Sequence, residues 1–276
     1  MTIFFPDLSN HNAATVEPAT AAVLAKATEG SSFTDPTYAR HKQEAHAVGA
    51  VFGAYHWLWS ADDAEVAHCR DVVGDTPLML DCENLKVVNT IKMIETFTVK
   101  YRNAGGTVFL MYLPHWYWQD HMGAPSLKPL DEIGLNLVSS NYTRYSDNGP
   151  GWDPYGGMTP VQWQYSDNTR YGGDGAVDFN AFKGSQADYG ALLNGGHTDM
   201  PLTPDDLDKI ETRIFRHIVT TDGSNDVGFN ELLRGLRTRS LALTPEALAA
   251  AIKLPGITSA QMEQALRDAF AALGQA

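Results

Sequence analysis

Two cysteines, Cys69 and Cys82, are all that 276 residues contain. Two cannot make a disulfide framework, and no Cys-x-x-Cys spacing is present, so the chain reads as one made in a reducing compartment. Positive charge is also scarce. Twenty Lys and Arg face 33 Asp and Glu, for a formal net charge of −13. No basic stripe is available to neutralise phosphates, which argues against nucleic acid as a partner. The same acidity argues against attraction to an anionic surface. No apolar run approaches the roughly 20 residues of a membrane span, so no membrane insertion is expected. The start, Met1-Thr2-Ile3-Phe4-Phe5-Pro6-Asp7, has neither the basic region nor the long apolar core of a signal peptide. There is no Gly-rich phosphate loop and no Arg cluster. His11, His115 and His121 lack the spacing of metal ligands. Neither a zinc site nor a phosphate-bearing ligand is expected.

What is present is a large apolar fraction, 43%, enough for a sizeable core. Eight apolar segments read as strands: 3–9, 22–30, 51–58, 78–83, 107–113, 135–142, 159–165 and 176–180. Helical patterns separate the early ones. Asp35 and Pro36 open a stretch through Ala45, Asp62 to Val73 carries Val66, Cys69 and Val73 at helical spacing, and Val88 to Ala104 ends at Gly105-Gly106. The last three strands are joined by Gly-, Pro-, Asp- and Tyr-rich connections with little helical pattern. This alternation predicts an α/β fold, a β/α barrel with a parallel sheet and reduced late helices. In such barrels the functional residues sit at the C-terminal ends of the strands.

Those ends are rich in acids and aromatics. Leu78-Met79-Leu80-Asp81-Cys82-Glu83 runs from apolar residues straight into two carboxylates. Alternation along a strand points Asp81 and Glu83 the same way and Cys82 away. Two like charges at the end of a buried strand repel, which raises the pKa of one and suits a general acid. Asp7, Tyr55, Tyr112, Tyr142, Gln164, Tyr165 and Asp178 fall at other strand ends, with Trp163 beside them. Polar sugars with apolar ring faces suit such a surface. Glu29 is expected to pair with Lys26 or a backbone amide, and His56, next to Tyr55, to face the other way as a satisfied buried histidine.

The tail differs in character. A barrel domain is expected over 1–192, a small polar linker over 193–203, and a small all-α module over 204–276. Thr203-Pro204-Asp205-Asp206, Thr244-Pro245-Glu246 and Thr258-Ser259-Ala260-Gln261 read as helix starts. Leu207, Ile210, Ile214 and Ile218 form an apolar stripe that suits either cell-wall binding or a homo-oligomer contact. Asp222 to Gly228 mimics a calcium loop but fails its register, with Val227 and Leu233 at the Gly and Glu positions.

Seven motifs occur in one order: Asp7-x-Ser9, Lys26-x-Thr28-Glu29-Gly30, Phe33-Thr34-Asp35-Pro36, Gly53-Ala54-Tyr55-His56-Trp57, Leu80-Asp81-Cys82-Glu83, Trp163-Gln164-Tyr165 and Val177-Asp178-Phe179-Asn180. Over residues 3–185 this series resembles the family 25 glycoside hydrolases, the Chalaropsis-type lysozymes found among bacterial muramidases and phage endolysins. The resemblance implies an irregular TIM-like (β/α)5(β)3 barrel that cleaves the β-1,4 bond between N-acetylmuramic acid and N-acetylglucosamine in peptidoglycan, without metal or cofactor. It implies Glu83 as proton donor, with Asp7, Asp81 and Asp178 as the other acids and net retention of configuration. Tyr55, Tyr112, Tyr142, Trp163, Gln164 and Tyr165 would contact substrate. Glu83 is then expected to be protonated, lifted by Asp81 and by burial, while Asp81, Asp7 or Asp178 stays ionised. The nucleophile is left as either a carboxylate or the substrate's own 2-acetamido group. Two departures stand out: 137–142 has no Trp where members often carry one, and Trp57 replaces the usual Phe or Tyr. The expected role is that of an endolysin held in the host bacterial cytoplasm until lysis and then acting on the cell wall. The rival readings are a non-catalytic glycan-binding barrel and a glycosidase of chitin-like chains.

Overall fold

The run from Ala22 to Thr28 is buried at every position, Lys26 included, as a strand covered on both faces must be. It is β2 (Ala22–Glu29) of a closed barrel, in a computed structural model that describes residues 1–195. The other barrel strands are β1 (Ile3–Leu8), β4 (Val51–Trp57), β5 (Leu78–Asp81), β6 (Val108–Tyr112), β7 (Asn136–Ser140), β8 (Gln162–Tyr171) and β9 (Asp174–Phe182). A two-residue strand, β3 (Phe33–Thr34), hangs on the end of β2. The sheet order β1-β9-β8-β7-β6-β5-β4-β2 closes through a β1–β2 pairing. All eight predicted segments therefore become barrel strands.

Two expectations need correction. The sheet is mixed, because β9 runs antiparallel to both β8 and β1. Gly172 and Gly173, both at positive φ, make a two-residue turn between the paired Tyr171 and Asp174, and such a turn can only reverse the chain. The five-unit β/α count also fails at its first unit, since residues 9–21 after β1 contain no helix. Helices follow β2, β4, β5 and β6 instead: α1 (Tyr38–Ala47), α2 (Asp63–Val73), α3 (Ile91–Asn103), and the short pair α4 (His115–Asp120) and α5 (Lys128–Glu132). Asp62 and Thr90 cap α2 and α3 by accepting from Glu65 N and Met93 N. Between β7 and β8 only a 3-10 turn, Pro150–Trp152, remains.

The core has two layers. An outer layer joins the strands to the helices through residues such as Leu80, Ile94, Phe97 and Met111. An inner layer fills the barrel with Phe5, Leu24, Tyr55, Met79, Leu110, Tyr112 and Val138. After β9 a Ser185/Asp188 capping box starts α6 (Gln186–Leu193), whose Tyr189, Leu192 and Leu193 join the inner layer. They meet Phe5 and Phe182 at the end where β1 begins, so α6 seals the bottom and leaves the top to polar side chains. Residues 193–195, expected as the start of the linker, end α6 and its turn. The remainder of the linker and the helical module over 204–276, with the loop at 222–228, lie outside the described residues.

Candidate active site

The strand registers bring the acids to one mouth. Asp7 and Asp178 are direct cross-strand partners on β1 and β9, so their side chains emerge on the same face. Asp81 ends β5 beside Tyr112 of β6 and Trp57 of β4. Glu83 lies two residues beyond the strand and is half-buried. Because β9 is reversed, Asp178 reaches the mouth from the middle of its strand, not from the C-terminal end.

All four carboxyls are lifted above their ordinary range. Burial pushes Glu83 up to about 7, with Asp7 as the charge that adds to it. Burial pushes Asp178 up to about 8, helped by Asp7, Asp167 and Glu83. Asp81 stands well above the usual carboxylate range, first from burial and then from Glu83, against an opposing pull from Lys26. Burial also raises Asp7, but Asn180 and Gln164 pull it back down by hydrogen bonds. The repulsion expected between Asp81 and Glu83 is present as a rise at Asp81, and Asp7 is a further charge that lifts Glu83.

Among the aromatics, Tyr55 is buried in the floor, its hydroxyl raised by burial and by Asp7, Asp81 and Asp178. Tyr112 and Tyr142 both donate to Gln164 Oε1 at 2.8 Å. Tyr142 is 51% exposed and offers a ring face to solvent. With Phe4, Arg144, Tyr145, Tyr165 and Asp167 it lines a cleft of about 540 Å³.

Trp163 does not belong to that surface. It is fully buried, its indole N–H donating to Asn141 O at 2.9 Å, with Tyr145 and Trp152 against its ring. The physical reason is strand alternation: Gln162 and Gln164 face the barrel interior, so Trp163 must face outward, under the β7–β8 loop. Its role is to support Tyr145 and Tyr165 from behind. Gly149 and Gly151 lie so close to the indole that a methyl group on either would overlap it. Gly151→Ala is therefore expected to cost about 1–3 kcal/mol of stability through overpacking. Urea unfolding would check this, and an unchanged midpoint would show that the loop shifts freely.

Glu29 and His56 sit in polar pairs. Glu29 accepts from Lys26 Nζ at 2.7 Å and Trp59 Nε1 at 3.1 Å. His56 bridges Thr28 Oγ1 and Glu65 Oε1 at 2.8 and 3.0 Å, wholly buried. Cys82 is a buried free thiol, and Cys69 another. Three residues escaped the sequence reading as parts of the site. Lys26 lies buried next to the acids, while Gln162 and Asn180 line the interior behind Asp7. Asn180 was visible as the last residue of Val177-Asp178-Phe179-Asn180, two positions from Asp178 and hence on its face.

The family model "Glycosyl hydrolases family 25" matches residues 7–174. The chain is 28% identical over 184 residues to the N,O-diacetylmuramidase of Chalaropsis sp, covering 56% of this chain and 84% of that one. It is 26% identical over 196 residues to the YegX protein of Escherichia coli and spans 62% of that protein's length and 62% of its own. Its fold is shared with a bacterial lysozyme from Streptomyces coelicolor at a TM-score of 0.57 and 22% identity, over 70% of this chain and 97% of that one. The catalytic domain of endolysin ply40, from a bacteriophage of Listeria monocytogenes, superimposes at a TM-score of 0.52 and 19% identity, over 70% and 96%. With the acids gathered at the mouth of a closed barrel and more than half of its length matched, the chain belongs to the glycosyl hydrolases of family 25.

Proposed function

We propose that this protein is a muramidase that hydrolyses the β-1,4 bond from N-acetylmuramic acid to N-acetylglucosamine in peptidoglycan, with Glu83 as general acid/base and net retention. The observation that carries it is a half-buried Glu83 pushed up to about 7, at a mouth where three further carboxyls converge. A carboxyl with that value holds its proton near neutral pH and still gives it up readily. The leaving oxygen takes that proton, and a negative site on the other side of the sugar stabilises the oxocarbenium-like centre. Asp7, facing Asp178 across β1 and β9, supplies that negative side, by direct attack or by orienting the 2-acetamido group. Tyr142 and Tyr165 offer stacking faces along the adjoining cleft.

The kinship with a muramidase and the fold shared with an endolysin domain favour a role in host cell lysis, with the protein held in the bacterial cytoplasm until it reaches the wall. Digestion of purified peptidoglycan is expected to release muramic acid reducing ends, with the β-anomer formed first by proton NMR. Release of N-acetylglucosamine reducing ends, or of none, would sink this reading. Cleavage of chitin oligomers at an equal rate would favour the chitin-like alternative.

A further inference from the structure

The four acids differ in their partners, and the difference singles out Asp7. Its Oδ2 accepts from Gln164 Nε2 at 2.7 Å and from Asn180 Nδ2 at 3.0 Å. Each of those amides is itself locked from behind. Gln164 Oε1 accepts the hydroxyls of Tyr112 and Tyr142, both at 2.8 Å. Asn180 Oδ1 accepts from Gln162 Nε2 at 2.8 Å, and Gln162 Oε1 accepts the Tyr189 hydroxyl at 2.9 Å. Every link runs in one direction, from tyrosine hydroxyl through amide to carboxylate. Turning any amide over would set oxygen against oxygen, so Oδ2 of Asp7 must accept both N–H groups, and two donors on one oxygen favour the ionised carboxylate.

Apart from Tyr142, the members of this chain are all buried, so water does not compete for the bonds. The chain also crosses the barrel, since Tyr189 belongs to α6 at the bottom and Asp7 lies at the top. Asp81 presents the contrast: its Oδ1 is buried with no hydrogen-bond partner among the described residues. A buried carboxyl with an oxygen left without a donor holds its proton more firmly than one given two donors, so of the two Asp7 ionises the more readily.

We propose that this one-way relay, from Tyr189, Tyr112 and Tyr142 through Gln162, Asn180 and Gln164, fixes Asp7 as the anion of the cluster and so leaves the proton on Glu83. Its catalytic consequence rests on the muramidase reading above. The relay residues are positioning residues, because they act through Asp7. The charged and titratable groups around the pair are Asp81 from β5, Cys82 just beyond it, Asp178 from β9, Asp167 from β8, Lys26 from β2, Tyr55 from β4, Tyr112 from β6, Tyr117 from α4, Tyr142 beyond β7 and Tyr189 from α6. Lys26, the cation among them, is paired with Glu29 and acts on Asp81. Asp7 is the charge that acts on Glu83 and the first to act on Asp178.

The test follows the side-chain carboxyl signals by carbon-13 NMR on the full chain from pH 4 to 9, with the Glu83 signal assigned by its loss in Glu83→Gln. In the wild type, Glu83 is expected to titrate near 7. In Asn180→Leu the anion at Asp7 loses a donor, and Glu83 is expected to titrate about one unit lower. Tyr189→Phe removes only the far hydroxyl and is expected to shift Glu83 the same way by less. Unmoved Glu83 titration in folded variants overturns the relay. If Asn180→Leu does not fold, Tyr189→Phe and Tyr112→Phe decide in the same manner. The signal needs no turnover, so an intact relay in a protein that frees no muramic acid ends would fault the muramidase reading alone.

Discussion

Glu83→Gln is expected to lower kcat/KM on peptidoglycan by about 10²–10⁴-fold, the usual worth of a general acid. The amide keeps the size and a hydrogen-bonding oxygen but has no proton to give. Wild-type activity should fall as pH rises past about 7, where Glu83 loses its proton, and the residual activity of the variant should lack that limb. The substitution affects stability in the opposite sense from activity. Glu83 has its folded-state value raised, so the native state favours the protonated form. The stability that this form provides is fully present below the unfolded value near 4.5 and is lost as pH rises through about 7. Glu83→Gln carries no charge and should be at least as stable as the wild type at pH 8, by an amount on the order of 1–3 kcal/mol. Initial rates of reducing-end release and urea midpoints at pH 5 and pH 8 check both halves. A variant that is less active only because it is less folded would contradict the assignment.

How far the sequence led is instructive at individual strands. The eight apolar runs are legible because a strand buried on both faces has to be apolar through most of its length, whatever its direction. Direction is not written in that pattern, so β9 read as parallel. The signal lay in the connection: a two-residue Gly172-Gly173 turn between Tyr171 and Asp174 forces a hairpin. The acids were legible as strand ends, and the structure brings Asp7, Asp81, Glu83 and Asp178 to one mouth. Trp163, Gln164 and Tyr165 could not all face one way in a regular strand, and applying to them the alternation that separated Tyr55 from His56 would have buried Trp163. The amides behind Asp7 were hidden for another reason. Gln162 and Asn180 are unremarkable in composition, and their role exists only when β8 and β9 pair and place them side by side.

Glu65→Ala is expected to be the most damaging single truncation away from the mouth, costing roughly 3–5 kcal/mol, as does removing one partner of a buried pair. Glu65 is fully buried at the start of α2. Its Oε1 accepts from His56 Nε2 at 3.0 Å and Trp59 N at 2.7 Å, and its Oε2 accepts from Ser60 N and Ser60 Oγ, both at 2.6 Å. One carboxylate therefore folds the chain from the end of β4 into α2. Alanine would leave the His56 ring and two backbone N–H groups buried without partners. Burial pushes Glu65 up, but the bonds from His56, Ser60 and Trp59 prevail and hold it below its ordinary value. Burial pushes His56 down, so the neutral ring donates from Nε2 and accepts from Thr28 at Nδ1. Both shifts are depressions, so both contributions are present above the unfolded values and are lost on acidification, His56 first below about 6.5 and Glu65 below about 4.5. The loss of the His56 contribution is common to both proteins, because burial lowers its value and Glu65 opposes that. The wild-type advantage over Glu65→Ala in urea midpoint should therefore hold from pH 7 to about 5 and shrink only below about 4.5, where the carboxylate takes its proton. A loss under about 1 kcal/mol at pH 7, or a gap that does not change with pH, would mean that solvent replaces the carboxylate, and the turn at Trp59 and Ser60 would then owe its shape to packing alone.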